Sequence, residues 1–444
     1  MERPRLKHSD PKLARPDTAV AAPINQNVRM RHVITAFLVL ALGCASQPKS
    51  AVVAFEDGRW YNGHVFVERT MYVVDGTLRM QRPRRITKFV DLHGDYVIPP
   101  LAEAHNHWLE PDKIDTYIHN YLADGVFYVM DQANVPIIAE QVRAKTNRPS
   151  SVDYRVAILG FTAPGAHPIQ IVKQFVKMGE MPATWNSEAA IDRNALLIVS
   201  SEKDVDDRWP ALQAAKPDFV KVFLEFSEEF ERRRNDETFV YRRGIDPKLV
   251  PYIVHRAHRD GLRVSAHVYS AADFRNAIAA GVDFVAHMPG TGAGEEPDLN
   301  RFLITDADAQ RTATQGTPVI TTLGWLDELR QDAAARADLV ERVVIRPNVE
   351  KLRRAGVRLL IGSDQFRKTP VGELFILARL GVSNEDILRM AVSDTARAIF
   401  PRRRIGALDD GYEASFLALQ GNPLDDLANV RKIALRVKRG VQIP

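Results

Sequence analysis

Between residues 97 and 364 the chain repeats one pattern, a short apolar run followed by a helix-length polar and amphipathic stretch, and this repetition limits the folds open to it. The runs are 97–101, 125–130, 154–159, 219–224, 263–267, 284–287, 318–322 and 357–364. Helical patterns lie between or after them, for example at 247–259, 271–280, 339–355 and 371–380, and many end in a glycine suited to a helix C-cap. Strands that alternate with helices form parallel sheets, and eight of them suffice to close a (β/α)8 barrel. In such barrels the C-terminal ends of the strands converge on one mouth, so side chains at those ends form a site.

The flanks have a different texture. Period-2 segments at 51–55, 61–67, 71–74 and 86–92 are broken by Asn62-Gly63 and Asp75-Gly76, and strand-like runs return at 415–419 and 433–440. The expected organisation is therefore α/β: a TIM-type barrel over 97–402 with a small β-sandwich assembled from 51–96 and 403–444. A hydrophobic content of 45% with 26% charged residues suits a globular chain of this size. The net charge is only +4, with Lys and Arg spread along the sequence rather than clustered, which argues against a nucleic-acid partner.

Residues 1–29 are polar and proline-bearing; Met30-Arg31-His32 then leads into an apolar run at 33–43 and the chain's single cysteine, Cys44. This reads as an N-terminal extension, 1–50, containing a signal peptide at 30–45, with translation starting at Met30 as an alternative. The protein is expected to be exported, either lipid-anchored to the bacterial cell envelope through Cys44 or released into the periplasm by cleavage after Ala45. An exported chain with at most one cysteine cannot rely on internal disulfides and needs a large core.

Chemistry-bearing residues fall at the strand ends. His105 and His107 are two apart, so an extended backbone turns both to one face, where they can grip one ion. His267 and His287 close successive strands one βα unit apart. Asp364 ends the apolar run 357–364. Lys221 alternates with Phe219 and Phe223 inside its strand, which would force an amine into the barrel, where an unpaired ammonium costs several kcal/mol. His255 and His258 sit on an outer helix and are read as structural or exposed.

This ordered set resembles the amidohydrolase superfamily over nearly everything after residue 50, and within it the imidazolonepropionase-like and prolidase-like hydrolases. Their C-terminal pattern is similar to Gly406-Ala407-Leu408-Asp409-Asp410-Gly411, the strand 415–419 and Gly421-Asn422-Pro423-Leu424. The resemblance implies that His105, His107, Lys221, His267, His287 and Asp364 ligate two divalent cations, zinc by default, with Lys221 carboxylated to bridge them. It implies a metal-bridging hydroxide as nucleophile, with Asp364 moving the proton.

Substrate contacts are expected from the loops after the strands. His167 is a candidate to stabilise an oxyanion, Tyr241 and Tyr269 to line the pocket, Arg242 and Arg367 to hold a substrate carboxylate, and Trp108 and Trp325 to add apolar wall. The expected reaction is hydrolysis of an amide bond in a small molecule, a dipeptide or N-acyl amino acid. A mononuclear cyclic amidohydrolase, lactonase or deaminase is an alternative, as is a non-catalytic cell-surface binding protein; a homo-oligomer is left open.

Overall fold

Strand Leu101–Asn106 is buried at all six positions, as both faces of a barrel stave must be. It is the first of eight such staves in the computed structural model, which describes residues 51–444. The expected signal segment at 30–45 and Cys44 lie outside the described residues. In chain order the staves are β1 (Leu101–Asn106), β2 (Val126–Asn134), β3 (Asp153–Ile158), β4 (Val220–Phe223), β5 (Val264–His267), β6 (Phe284–Val285), β7 (Val319–Ile320) and β8 (Leu359–Leu360). Pairing is parallel from β1 through β3 and from β4 through β8. A parallel bridge from Ala157 to Phe219 joins β3 to β4. The barrel closes where Ala104 N–H donates to Ile361 O and Asp364 N–H to His105 O, both at 2.8 Å, tying β8 to β1.

The first stave begins later than the apolar run 97–101 suggests. Pro99-Pro100 removes two ladder donors and divides the run. The part before it, Tyr96–Ile98, pairs with Val53–Tyr61 and Phe416–Leu419 in the terminal sheet. The part after it enters the barrel. Stave β3 also departs from expectation: the chain turns at Leu159, with φ 60°, and continues as Gly160–Thr162. That continuation pairs with β4 and with Leu196–Ile198, a short strand that the sequence pattern did not reveal. The helical pattern at 339–355 lies at the end of a longer arrangement, Trp325–Val340 and Arg346–Arg354 joined by a wide turn at Glu341–Ile345.

The two chain ends do combine. One eight-stranded mixed sheet runs from Val441–Ile443 through Ile433–Lys438, Phe416–Leu419, Tyr96–Ile98, Val53–Tyr61 and Phe66–Val74 to Thr77–Arg79. Along one edge Val53–Tyr61 pairs first with Lys88–Asp91 and then with Tyr96–Ile98, so the sheet splits around its own core. Phe416 packs edge-on against Phe55 and Trp60 there, with ring centroids 5.0 and 5.1 Å apart. A buried ion cluster fastens this sheet to the barrel: Asp153 on β3 accepts from Lys438 at 2.8 Å, Arg403 at 2.7 Å and Arg439 at 2.9 Å. No described helix is long and apolar enough to cross a membrane.

Candidate metal centre and its cavity

His105 ends up at the mouth of β1 and His107 just beyond it, and each ring is held by its Nδ1. His105 Nδ1 lies 2.7 Å from Ala286 O and His107 Nδ1 lies 3.0 Å from Ala133 O. A carbonyl only accepts, so both rings carry their proton on Nδ1 and present the Nε2 lone pair. Those two Nε2 atoms face each other at 3.3 Å, and Asp364 Oδ1 stands 3.4 Å from His105 Nε2 and 3.3 Å from His107 Nε2. Two lone pairs and a carboxylate oxygen around one point repel unless a positive charge lies among them. Burial holds the His105 imidazole well below its ordinary range. Burial also lowers His107, but Asp364 and Asp131 outweigh it and raise that imidazole, so the field at this point favours a cation. The donor set and its second layer of carbonyls thus fit a divalent metal ion.

Just beyond β8, Asp364 stands in the left-handed region, φ 52°, which a non-glycine residue keeps only when its surroundings hold it. Its N–H bond to His105 O supplies that hold. Glu103, which the sequence did not single out, secures the seam. Fully buried, it accepts from His105 N–H at 3.0 Å and from the Ser363 N–H and Oγ at 2.8 Å each. Burial pushes its carboxyl up to about 8 despite these donors.

Lys221, His267 and His287 share the same cavity. The His287 ring centroid lies 4.4 Å from both His105 and His267; its Nδ1 contacts Thr322 Oγ1 at 2.9 Å. His267 is buried and neutral, held well below its ordinary range by burial, and its Nε2 has no hydrogen-bond partner. Such an orphaned buried nitrogen at a strand end also fits a ligand to a cation. The Lys221 amine is buried with a single neighbouring acceptor, Gln132 Oε1 at 3.3 Å, which Ser265 Oγ also reaches at 2.7 Å. Burial, partly offset by Asp364 and Asp131, pushes the amine down to about 7. Among the described residues one group, His105, His107 and Asp364, brings three ligand atoms within 4.8 Å of one another; His267, His287 and Lys221 stand around it without forming a second.

The loop candidates separate. His167 and Tyr269 line the cavity, with ring centroids 4.7 and 5.0 Å from His267. Burial pushes His167 down to about 3 and raises the Tyr269 phenol, so both are neutral. Tyr241 lies outside the lining, its hydroxyl accepting from Lys173 at 2.6 Å. Neither arginine reaches the cavity: Arg242 pairs with Glu296 at 3.1 Å, and Arg367 is forked onto Glu110 at 3.0 and 2.5 Å. The two tryptophans are not its wall either. Trp108 is buried among Tyr117, Tyr121 and Tyr154, and Trp325 starts a helix elsewhere. The wall consists instead of aliphatic residues such as Leu109, Val135, Ile171 and Leu196, together with Phe366. His258 is tied to Asp283 at 2.8 Å on the barrel exterior, as its helix position suggested.

Comparisons with known proteins agree with this geometry. The model of the amidohydrolase family matches residues 243–442, a span that includes His267, His287 and Asp364. Ochratoxinase from Aspergillus niger is 27% identical over 186 residues; the aligned stretch covers 41% of this chain and 38% of that relative's length. Among solved structures, that ochratoxinase superposes with a TM-score of 0.69 at 15% identity, covering 89% of this chain and 96% of its own. A Xaa-Pro dipeptidase with methionine in its active site also gives 0.69, at 14% identity, covering 88% and 99%. The second half of the chain thus matches the amidohydrolase family, and the barrel across the described residues is the fold that these solved structures share.

Proposed function

We propose that this protein is a metal-dependent hydrolase that cleaves amide bonds in small molecules, with two divalent cations, zinc by default, held by His105, His107, His267, His287, Asp364 and a carboxylated Lys221. The observation that carries the reading is the pair of Nε2 atoms, 3.3 Å apart, that share Asp364 Oδ1 as a neighbour. The similar fold of a Xaa-Pro dipeptidase supports the choice of bond.

When bound, a divalent cation supplies Lewis acidity, lowering the pKa of water and polarising a carbonyl. The protein's residues do the rest. Asp364 accepts the proton of the attacking water and returns it to the departing nitrogen. His167 takes the Gln170 amide on Nδ1, at 3.0 Å, which leaves its ring proton on Nε2 as a neutral donor for the developing oxyanion. The buried Lys221 amine adds to carbon dioxide, forming an N–C bond and losing one proton, so that an anion replaces an ill-solvated cation. Among the described residues no carboxylate lies within 4.0 Å of this amine to pair with it instead. The apolar segment before Cys44 supports export, with anchoring at Cys44 or cleavage after Ala45.

A single-ion centre with an unmodified Lys221 is the second reading, favoured by the one compact ligand group. Elemental analysis of protein purified without chelator, wild type beside Lys221→Ala, separates the two. Two ions per chain, falling in the variant, with activity partly restored by short carboxylic acids, support the bridged centre. One ion in both supports the second reading, and none in either removes the metal-dependent reading altogether.

A further inference from the structure

The cavity over the metal centre has two chemically distinct sides. Toward β8, β1, β2 and β3 it is apolar apart from Asn134, whose amide is turned onto Trp108 O and Asp131: Leu109 and Val135 follow the first two staves, Ile171 projects from the helix Ile169–Lys177, and Leu196 comes from the added strand. Phe366 completes this side, its ring 5.6 Å from His107 and 5.7 Å from Phe175. Toward β5 and β6 the lining is polar: the His167 ring, the Tyr269 phenol, and Thr291, whose buried hydroxyl has no partner. About 180 Å³ is open between them, well beyond the roughly 10–15 Å³ that one water needs.

Away from the metal centre neither side carries a lysine, arginine, aspartate or glutamate among the described lining residues. Lys221, at the metal centre itself, is the only lysine or arginine among the described lining residues, and no arginine reaches it. Arg242 and Arg367, the nearest loop candidates for a carboxylate clamp, are already paired with Glu296 and Glu110. A substrate carboxylate seated away from the metals would therefore be stripped of water without a cationic partner, which is strongly unfavourable. An apolar arm meets the opposite balance, since each buried methylene is favourable.

The geometry points to a cavity that selects uncharged amides carrying one apolar arm and rejects those with a free carboxylate. The inference rests on the amide-hydrolase reading above and narrows it. Thr291 Oγ1 and Tyr269 supply neutral hydrogen bonds to the second arm of such a substrate. The apolar side covers the first arm and keeps bulk water from His107.

The test uses a matched pair, N-phenylbutanamide and its counterpart bearing a carboxyl para to the nitrogen, on the metal-loaded full chain. The neutral amide should show at least a tenfold higher kcat/KM, and Ile171→Lys, at a partly exposed helix position, should shift the ratio tenfold or more toward the carboxylate. Equal or better turnover of the carboxylate by the wild type overturns the inference while leaving the hydrolase reading standing. If neither compound turns over, that reading falls, and calorimetric binding of the same pair decides the inference: tighter binding of the neutral member by tenfold or more supports it, and equal, reversed or absent binding overturns it.

Discussion

Gly362 stands where β8 passes closest to His105, and replacing it with alanine tests whether the metal site depends on that approach. A Cβ at this position would lie 2.8 Å from His105 Cβ and 3.1 Å from His105 N, and closer still to Ile320 Cγ2. To restore ordinary contact His105 Cβ must withdraw by about 0.6 Å. Its backbone cannot follow freely, because its N–H is held by Glu103 at 3.0 Å and its carbonyl accepts from Asp364 N–H at 2.8 Å. The ring must tilt instead, and Nε2 leaves the point it shares with His107 and Asp364. Overpacking of this kind costs about 1–3 kcal/mol of stability, and misplacing a catalytic group by about 1 Å costs on the order of a hundredfold in rate. Gly362→Ala should therefore stay folded, with a lowered melting temperature, metal affinity down by about tenfold or more in a chelator competition, and kcat/KM down by about ten- to a hundredfold. Gly372→Ala serves as control, since a Cβ there meets nothing within 4 Å. Wild-type metal affinity and rate in Gly362→Ala would refute the argument that β8 sets the position of His105.

Asp364→Asn keeps the shape of the ligand but not its basicity; turnover should fall by about a thousandfold with the unfolding midpoint nearly unchanged, and near wild-type turnover would remove Asp364 from proton transfer. Burial alone would raise the Asp153 carboxyl, but Lys438, Arg403 and Arg439 outweigh it and hold it below its ordinary value. Its contribution to stability is then complete above the unfolded value near pH 4 and is lost as pH falls through the lower folded value. Asp153→Asn should cost about 3–5 kcal/mol at pH 7, a gap that narrows below about pH 4. Urea midpoints measured from pH 7 to pH 3 check this, and a gap independent of pH would contradict it. Gln132→Leu should leave the fold intact but deprive Lys221 and Ser265 of their shared acceptor, reducing metal content; unchanged metal content would show that Lys221 is positioned without it.

What could be read in advance followed local rules. The two-residue step from His105 to His107 and the ends of β5, β6 and β8 depend on strand periodicity, and the structure places all these residues in one cavity. Pro99-Pro100 was visible in the sequence, but its effect, sending Tyr96–Ile98 to a different sheet from Leu101–Asn106, depends on partners near residues 59 and 417. Arg367 illustrates the same limit more sharply. A loop arginine close to the candidate ligand Asp364 invites a role in substrate binding, whereas its actual partner, Glu110, lies 257 residues away in the chain. The apolar wall was hidden because Ile171 and Leu196 belong to segments after β3: the periodicity of Ile169–Lys177 marks a helix, but not that Ile171 lines the cavity.

The seam held by Glu103 also sets an order on the protein's biosynthesis. Glu103 and Ser363 lie 260 residues apart, so at roughly 5–20 residues per second the ribosome needs about 13–52 s to deliver the second after the first. Throughout that interval the nascent chain displays β1 as an open edge, with its two histidines lacking Asp364 and its buried acid lacking two of its donors. Capture of a metal by the complete ligand set is thus a late event in the life of the chain, and a metal-loaded molecule is one whose barrel has already closed.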